Sequence, residues 1–143
     1  MRHPAYHLRP NKAVDRLTLI EVLRRLANRW DLADYTYYGL GGPFLEDFRL
    51  LREFFPQVRQ VCIERDEHTY RRQEFHRPAR HIRLVKSDFG GFLTEFHGGP
   101  RAVFWLDYTD LRYERFDEFM DVLGKVGNGS VVKLTLRAVA PRG

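Results

Sequence analysis

The sequence predicts one α/β domain: a three-layer sandwich with a mainly parallel sheet of about five strands and helices on both faces. Three observations lead to this fold. Short apolar segments alternate with helical ones, the run 102–106 is apolar throughout, and a glycine-rich turn at 39–42 joins the first strand to a helix. Parallel sheets of this kind bind ligands beyond the carboxyl ends of their strands. We therefore expect the functional residues at those ends.

Composition sets the limits of this interpretation. The 143 residues, of which 43% are hydrophobic, suit a single domain over 1–143, with an N-terminal arm and helix at 1–33 and a core at 34–139. No segment matches a membrane span or a signal peptide, which predicts a cytoplasmic protein without membrane association. Cys62 is expected in the core, and the six histidines lack a metal-binding spacing, so no metal site is predicted.

The elements follow in chain order. A first helix is predicted to begin near Asn11 and to carry an apolar stripe at Leu19, Val22, Leu23, Leu26, Ala27 and Trp30. Strands are predicted at 35–38, 58–63, 82–85, 102–106 and 130–139. Helical patterns lie at 44–55 and 66–76, and a last helical face is marked by Phe116, Phe119, Met120 and Leu123.

The first two strands end in groups that suit a nucleoside ligand. Tyr38 leads into the turn Gly39-Leu40-Gly41-Gly42, where glycines allow close approach of a ligand and the following helix offers N–H groups to an anion. The same turn is equally an ordinary strand-to-helix connection. Glu64 follows the second strand, about 20 residues on, where a carboxylate can accept hydrogen bonds from a ribose. Alternatively, Glu64 is a surface acid near a helix start.

The third and fourth strands are also followed by polar and aromatic residues. Asp88 and Phe89 come after the third strand, where they can receive a base, although Asp88 is equally suited to cap a helix. The run Asp107-Tyr108-Thr109-Asp110 comes after the fourth strand. Its acids can orient a nucleophile, act as a base or bind Mg²⁺, while a turn capped by Asp107 is the alternative. Nothing in the sequence specifically supports Mg²⁺.

Together these segments resemble motifs I to IV of the class I S-adenosylmethionine (SAM)-dependent methyltransferases, over roughly residues 34–139. That family has a Rossmann-like fold, with the strand order 3-2-1-4-5. The segments 8–16, 38–48 and 104–108 are also similar to a bacterial group described as putative O-methyltransferases. The resemblance implies a transferase that moves a methyl group from SAM to an oxygen or nitrogen of an unknown acceptor.

The resemblance also implies roles for individual residues. The cofactor site for SAM would be formed by Tyr38, Gly39, Gly41, Gly42, Glu64, Asp88 and Phe89. The glycines would surround the methionine part, Glu64 would bind the ribose, and the last two residues would face adenine. The acceptor would be met by Asp107, Tyr108 and Asp110, with one of the two acids as the base.

Two departures from the family pattern support an alternative function. Tyr37 replaces the acid that usually ends the first strand, and the chain has no counterpart of the usual C-terminal β-hairpin. An exposed edge strand would favour a homodimer or a protein complex. The alternative is a catalytically inactive, methyltransferase-like module that binds a nucleotide or a partner. An NAD-dependent oxidoreductase is less well supported because Phe44 replaces the third glycine of the dinucleotide motif, and the net charge of +5 leaves nucleic acid open as a partner.

Overall fold

The computed structural model describes residues 10–40, 42, 45–77, 81–99, 101–108 and 112–136. Within them, the strands are β1 (Tyr35–Gly39), β2 (Arg59–Glu64), β3 (Ile82–Lys86), β4 (Arg101–Tyr108) and β5 (Val131–Leu136). The α-helices are α1 (Pro10–Leu26), α2 (Glu46–Phe54), α3 (Glu67–His76), α4 (Phe89–Glu95) and α5 (Tyr113–Lys125). A short 3₁₀ turn at Leu32–Asp34 leads into β1.

The five strands form one parallel sheet in the order β3-β2-β1-β4-β5, which confirms the predicted fold and strand order. β1 lies at the centre, and Gly39 at its carboxyl end pairs with Cys62 of β2 and Trp105 of β4. Side chains alternate between the two faces along each strand. The uninterrupted burial of β4 over residues 102–106 follows from the helices that cover both faces.

The two faces of the sheet carry separate apolar cores. On the first face, α1 and α2 pack Leu23 and Phe48 against Tyr37 and Trp105. On the second face, α4 and α5 pack their apolar residues, Val122 among them, against the alternate residues of the same strands. Cys62 is fully buried on the first face, as predicted. None of the described helices is long and apolar enough to cross a bilayer.

The buried side of α1 differs from the predicted stripe. It consists of Leu19, Ile20 and Leu23 and continues toward the amino end through Lys12 and Arg16. Val22 and Ala27 are exposed, and Trp30 lies beyond the end of the helix. The predicted stripe is thus confirmed at Leu19 and Leu23, and Leu26 and Trp30 pack against the same core, whereas Val22 and Ala27 were assigned wrongly. An apolar pattern also assigns the buried basic residues to the solvent side.

The apolar residues of α5 differ from the prediction in a similar way. Val122 is buried and Phe119 is partly buried, so these two form the contact with the sheet. The remaining apolar residues of the helix are exposed: Tyr113, Phe116, Met120 and Leu123. We call these four residues the apolar flank of α5. The helix is therefore apolar over a wider arc than its own sheet covers.

Candidate active site

At the carboxyl edge of the sheet, two carboxylates lie on either side of the point where the chain leaves the central strand β1. Cys62, Gly39 and Trp105 form one row across the sheet, and the next row on the same face contains Glu64 and Asp107. Since β1 lies between their strands, the two backbones are separated by two strand spacings, on the order of 10 Å. The structure thus brings these two predicted site residues to the same edge and the same face of the sheet.

The glycine turn leaves β1 between these carboxylates. Gly39 is required by packing, because a β-carbon there would lie 2.8 Å from the Tyr37 hydroxyl oxygen and 3.1 Å from Cζ of Phe48. At Gly42, no atom of the described residues lies within 4 Å of a corresponding β-carbon, and the Gly42 carbonyl accepts a hydrogen bond from Gln73 at 3.3 Å. Gly41 lies outside the described residues, and so does Asp110.

Tyr37 and Tyr38 project to opposite faces at the end of β1. Tyr37 is buried on the first face, where burial raises the pKa of its hydroxyl well above the usual value and the nearby Asp47 carboxylate adds to the effect. Tyr38 is half-buried on the second face and stacks on Phe104, with ring centroids 4.5 Å apart. The side chain of Tyr38 therefore lies away from the face of Glu64, and its predicted contact with SAM remains a prediction.

Glu64 is held at the end of β2 by the start of the next connection. Its Oε1 accepts a hydrogen bond from the Asp66 N–H at 2.9 Å, and the side chain is half-buried. Burial raises the pKa of this carboxyl group, against the lowering effect of the hydrogen bond from Asp66. Glu64 is therefore a fixed, partly desolvated acceptor rather than a freely solvated acid.

Asp88 and Phe89 adopt structural roles at the start of α4. The Asp88 carboxylate caps the helix by accepting a hydrogen bond from the Gly91 N–H at 2.5 Å, which confirms the capping alternative. Phe89 is only 6% exposed and packs edge-to-face on Phe104. If adenine stacked on the whole Phe89 ring, the ring would have to leave its contact with Phe104. Phe89 can therefore contact adenine only through the small part of its side chain that is exposed. Both cofactor contacts remain predictions.

Asp107 and Tyr108 were predicted to face one acceptor together, but their side chains lie on opposite faces of β4. Asp107 pairs with Lys12 of α1 on the first face. The Tyr108 hydroxyl donates to Glu118 of α5 on the second face, and the Arg115 guanidinium lies 4.5 Å from its ring centroid. The physical reason is the alternation of successive residues in a strand. A shared site for the two side chains is therefore not supported, and Asp107 is the one beside the turn.

Sequence reasoning missed a group of charged side chains around Asp107. We call this group the polar cluster: Lys12, Asp15, Arg16, Glu46, Asp47, Asp107 and Lys133. Arg16 binds Asp47 at 2.5 Å and Glu46 at 3.1 Å, which joins α1 to the first turn of α2. Lys133 of β5 binds the Asp15 carboxylate at 3.1 Å. Together with the pair between Lys12 and Asp107, these ion pairs link α1 to α2, β4 and β5.

A family described as "Putative O-methyltransferase" matches residues 4–142. The chain belongs to this family. No curated protein matches it.

Several solved structures that are similar to this chain are methyltransferases, all at low sequence identity. The mitomycin 7-O-methyltransferase MmcR has a TM-score of 0.53 at 16% identity, over 92% of this chain and 40% of that one. Coclaurine N-methyltransferase, bound to N-methylheliamine and SAH, has a TM-score of 0.54 at 8% identity, over 92% of this chain and 38% of that one. The plantazolicin methyltransferase BpumL, in complex with SAH, has a TM-score of 0.54 at 10% identity, over 90% of this chain and 54% of that one. The chain spans about half or less of each protein, and at these identities the likeness establishes the shared fold.

The residues of the polar cluster carry a signal that sequence alone could have offered. Lys12 and Arg16 lie one helical turn apart and in register with the apolar stripe of α1, at a spacing that places them on its buried side. Among the described residues, no group of three His, Cys, Asp or Glu side chains is arranged to hold a metal ion.

Proposed function

We propose that the chain binds SAM at the carboxyl edge of its sheet and transfers the methyl group to an oxygen or nitrogen atom of an acceptor. The observation that carries the proposal is the placement of Glu64 and Asp107 on one face, on either side of the turn that leaves β1. A cofactor lying across this turn would contact Glu64 on one side and present its reactive end toward Asp107 on the other.

The described residues fit the nucleoside end of SAM. Glu64 offers a partly buried carboxylate with a fixed orientation, which suits the two hydroxyl groups of a ribose. Among the described residues, no atom lies within 4 Å of a β-carbon placed at Gly42, which suits the approach of a ligand to its backbone. When bound, SAM would supply an electrophilic methyl group, and the protein would hold the two reactants in line. Gly41 and Asp110 stay assigned to this site as predictions.

The methionine end of SAM would meet a different arrangement from the family pattern. Tyr37 fills the position of the usual acid, but the Asp47 carboxylate is close enough to raise the pKa of its hydroxyl. Glu46 and Asp47 are both ion-paired with Arg16. We propose that these two acids, together with Arg16, provide the charges that complement the ammonium and carboxylate groups of the methionine part.

Structures that share this fold include methyltransferases that act on oxygen and on nitrogen. MmcR is an O-methyltransferase and coclaurine N-methyltransferase acts on nitrogen, and both share the architecture of this chain. The two structures solved with SAH contain the demethylated form of the cofactor proposed here. The family description names oxygen as the acceptor atom, so an oxygen acceptor is the first to test.

Calorimetric titration with SAM and SAH tests the cofactor site. We expect saturable binding by the wild-type chain and at least about 10-fold weaker binding by Glu64→Ala, since a lost charged hydrogen bond costs on the order of 1.5–3 kcal/mol. The matched control is Glu53→Ala, which removes an exposed acid from α2 and should bind normally. Absence of binding by a folded wild-type chain would overturn the proposal.

Tyr37 favours the second candidate function, a methyltransferase-like module without catalytic activity. Its buried ring occupies the place of an acid that the family uses near the methionine part. Transfer of a radiolabelled methyl group from SAM to small phenols and amines separates the two functions. Binding of SAH without transfer to any of them would favour the module, whereas transfer would exclude it.

We further propose that the chain forms a homodimer through β5 and the apolar flank of α5. Lys125 of α5 binds the Leu93 carbonyl of α4 at 2.6 Å, so the flank lies on the opposite side of the helix, toward the edge of the sheet. Among the described residues, no strand pairs with the outer edge of β5. Antiparallel pairing of two β5 strands about a two-fold axis would bring both flanks together on the second face.

Analytical ultracentrifugation tests this dimer. The wild-type chain is expected to dimerise at tens of micromolar, and Met120→Glu, which places a charge in the centre of the flank, should be monomeric. Phe75→Glu is the control, because Phe75 is 85% exposed on α3 and far along the chain from the flank. A monomeric wild-type chain at these concentrations would rule the dimer out.

A further inference from the structure

Lys12 occupies an unusual position for a lysine. Its side chain is only 8% exposed, and its ammonium group pairs with Asp107 on the face of the sheet that carries Glu64. The same ammonium lies 4.2 Å from the centroid of the Trp105 ring, which is itself buried at the end of β4. Lys12 is thus held at the acceptor side of the proposed cofactor site, although it comes from the helix that precedes β1.

A second lysine shares the same aromatic ring. The Lys133 ammonium lies 4.8 Å from the Trp105 centroid and is held by the Asp15 carboxylate and by the Asp15 carbonyl at 3.3 Å. Two positive charges beside one buried ring repel each other, and the more buried of the two is the less well solvated. Lys12 is the more buried one, so the repulsion and the desolvation both favour loss of its proton, whereas the ion pair with Asp107 favours its retention.

Among the described residues, the charges that face Lys12 come from four elements. They belong to Asp15 and Arg16 of α1, Asp47 of α2, Asp107 of β4 and Lys133 of β5. Burial lowers the pKa of the Lys12 ammonium to about 8, against the opposing attraction of the Asp47 and Asp15 carboxylates. At neutral pH about a tenth of such a group is the free amine, which is the state that a general base requires.

We propose that Lys12, oriented by Asp107, is the base that takes the proton of the methyl acceptor. This inference rests on the proposed function and exchanges the roles expected from sequence, since Asp107 becomes a positioning residue. The Lys12 lone pair takes the proton from the acceptor O–H or N–H, and the released electron pair forms a bond to the methyl carbon. The electrons of the broken methyl–sulfur bond stay on sulfur, and the Lys12 ammonium later releases its proton to water.

Competitive acetylation with trace acetic anhydride, followed by mass spectrometry across pH, measures the protonation of Lys12 without an acceptor. We expect half-maximal reactivity of Lys12 near pH 8, against about pH 10.4 for ordinary lysines. In Lys133→Met the midpoint of Lys12 should rise, because a neighbouring positive charge is removed. A midpoint above pH 10, or a Lys12 that does not react at any pH, would overturn the proposal even where SAH binds.

Methyl transfer provides the catalytic test, with a simple phenol and a primary amine as probe acceptors. Lys12→Arg retains the positive charge beside Asp107 but cannot give up its proton. We expect at least about 100-fold lower kcat with unchanged affinity for SAH, as for the loss of a general base. Lys125→Arg, on α5 and outside the polar cluster, is the matched control and should retain activity. Lys12→Arg activity equal to wild type contradicts the role of Lys12, whereas failure of SAH to bind wild type contradicts the proposed function instead.

Discussion

The Tyr37 hydroxyl covers the Cα of Gly39 so closely that a β-carbon at position 39 would lie 2.8 Å from its oxygen. The ring atom Cε1 of the same tyrosine would be 3.0 Å away, and Phe48 closes the other side. Tyr37 is fully buried, so it has little room to move. The last residue of the central strand is therefore fixed as glycine by the core and independently of any ligand.

Replacement of Gly39 by alanine is expected to destabilise the fold by about 1–3 kcal/mol, the usual cost of overpacking a core. Gly42→Ala should have little effect, because no atom of the described residues lies within 4 Å of its β-carbon. Urea unfolding of both variants measures the difference. Tyr37→Phe removes the closest atom and should partly rescue Gly39→Ala, and equal unfolding midpoints for the two glycine variants would argue against this packing.

The stability of the chain should depend on pH through Lys12. The folded state loses this proton near pH 8, whereas the unfolded chain retains it up to about pH 10.5. Between these values the unfolded state binds more protons, so this group makes the free energy of unfolding rise with pH. In Lys12→Arg the rise should be missing. Urea titrations of both proteins from pH 7 to 10 test it, since other titrating groups cancel in the comparison, and parallel curves would be inconsistent with a lowered pKa.

A double-mutant cycle should separate the two neighbours at the end of β4. Lys12→Met and Asp107→Asn remove partners of one ion pair, so we expect a coupling energy of about 1–3 kcal/mol between them. Asp107→Asn and Tyr108→Phe act on opposite faces and should be additive within about 0.5 kcal/mol. Free energies of unfolding from denaturant curves give both values. Strong coupling between Asp107 and Tyr108 would mean that the two side chains do share a site.

Variants of Asp88 distinguish its capping role from a role at adenine. Asp88→Ala should cost about 1 kcal/mol of stability, because the Gly91 N–H loses its acceptor. Asp88→Asn retains an acceptor at the helix start and should be close to wild type in stability. If Asp88 also binds an amine of the cofactor, Asp88→Asn should nevertheless weaken SAH binding in calorimetry. If Asp88→Asn binds SAH with normal affinity, Asp88 serves only as the cap of α4.

The sequence predicted the sheet well because the signals of its central strands are local. The apolar run before Asp107 reflects burial of the strand on both faces, and the glycines after Tyr38 reflect a tight turn at the end of β1. Both signals lie within a few residues of sequence. For the helices, the prediction of which residues are buried and which are exposed was less accurate. On α5, an apolar pattern could not reveal which part of a wide apolar arc contacts the sheet and which part is exposed, since that depends on neighbours distant in sequence.

The candidate site was predictable only where it lies at strand ends. Glu64 and Asp107 follow apolar runs, so the fold placed them at one edge as expected. Lys12 and Arg16 were missed because their partners lie 95 and 31 positions away. A charged residue within a helix looks solvent-exposed until the pairing partner is known. The separation of Asp107 from Tyr108 follows from strand alternation, which applies once β4 extends through both residues.

The distance along the chain between Lys12 and Asp107 also sets the order in which the protein can be completed during synthesis. At about 5–20 residues per second, a ribosome needs roughly 5–20 s to add the 95 residues that separate them. Until then β1 lacks its β4 neighbour, and the basic side of α1 has no acid from β4 to meet. The nascent chain therefore passes through a stage in which β1, β2 and β3 have been made and β4 and β5 have not.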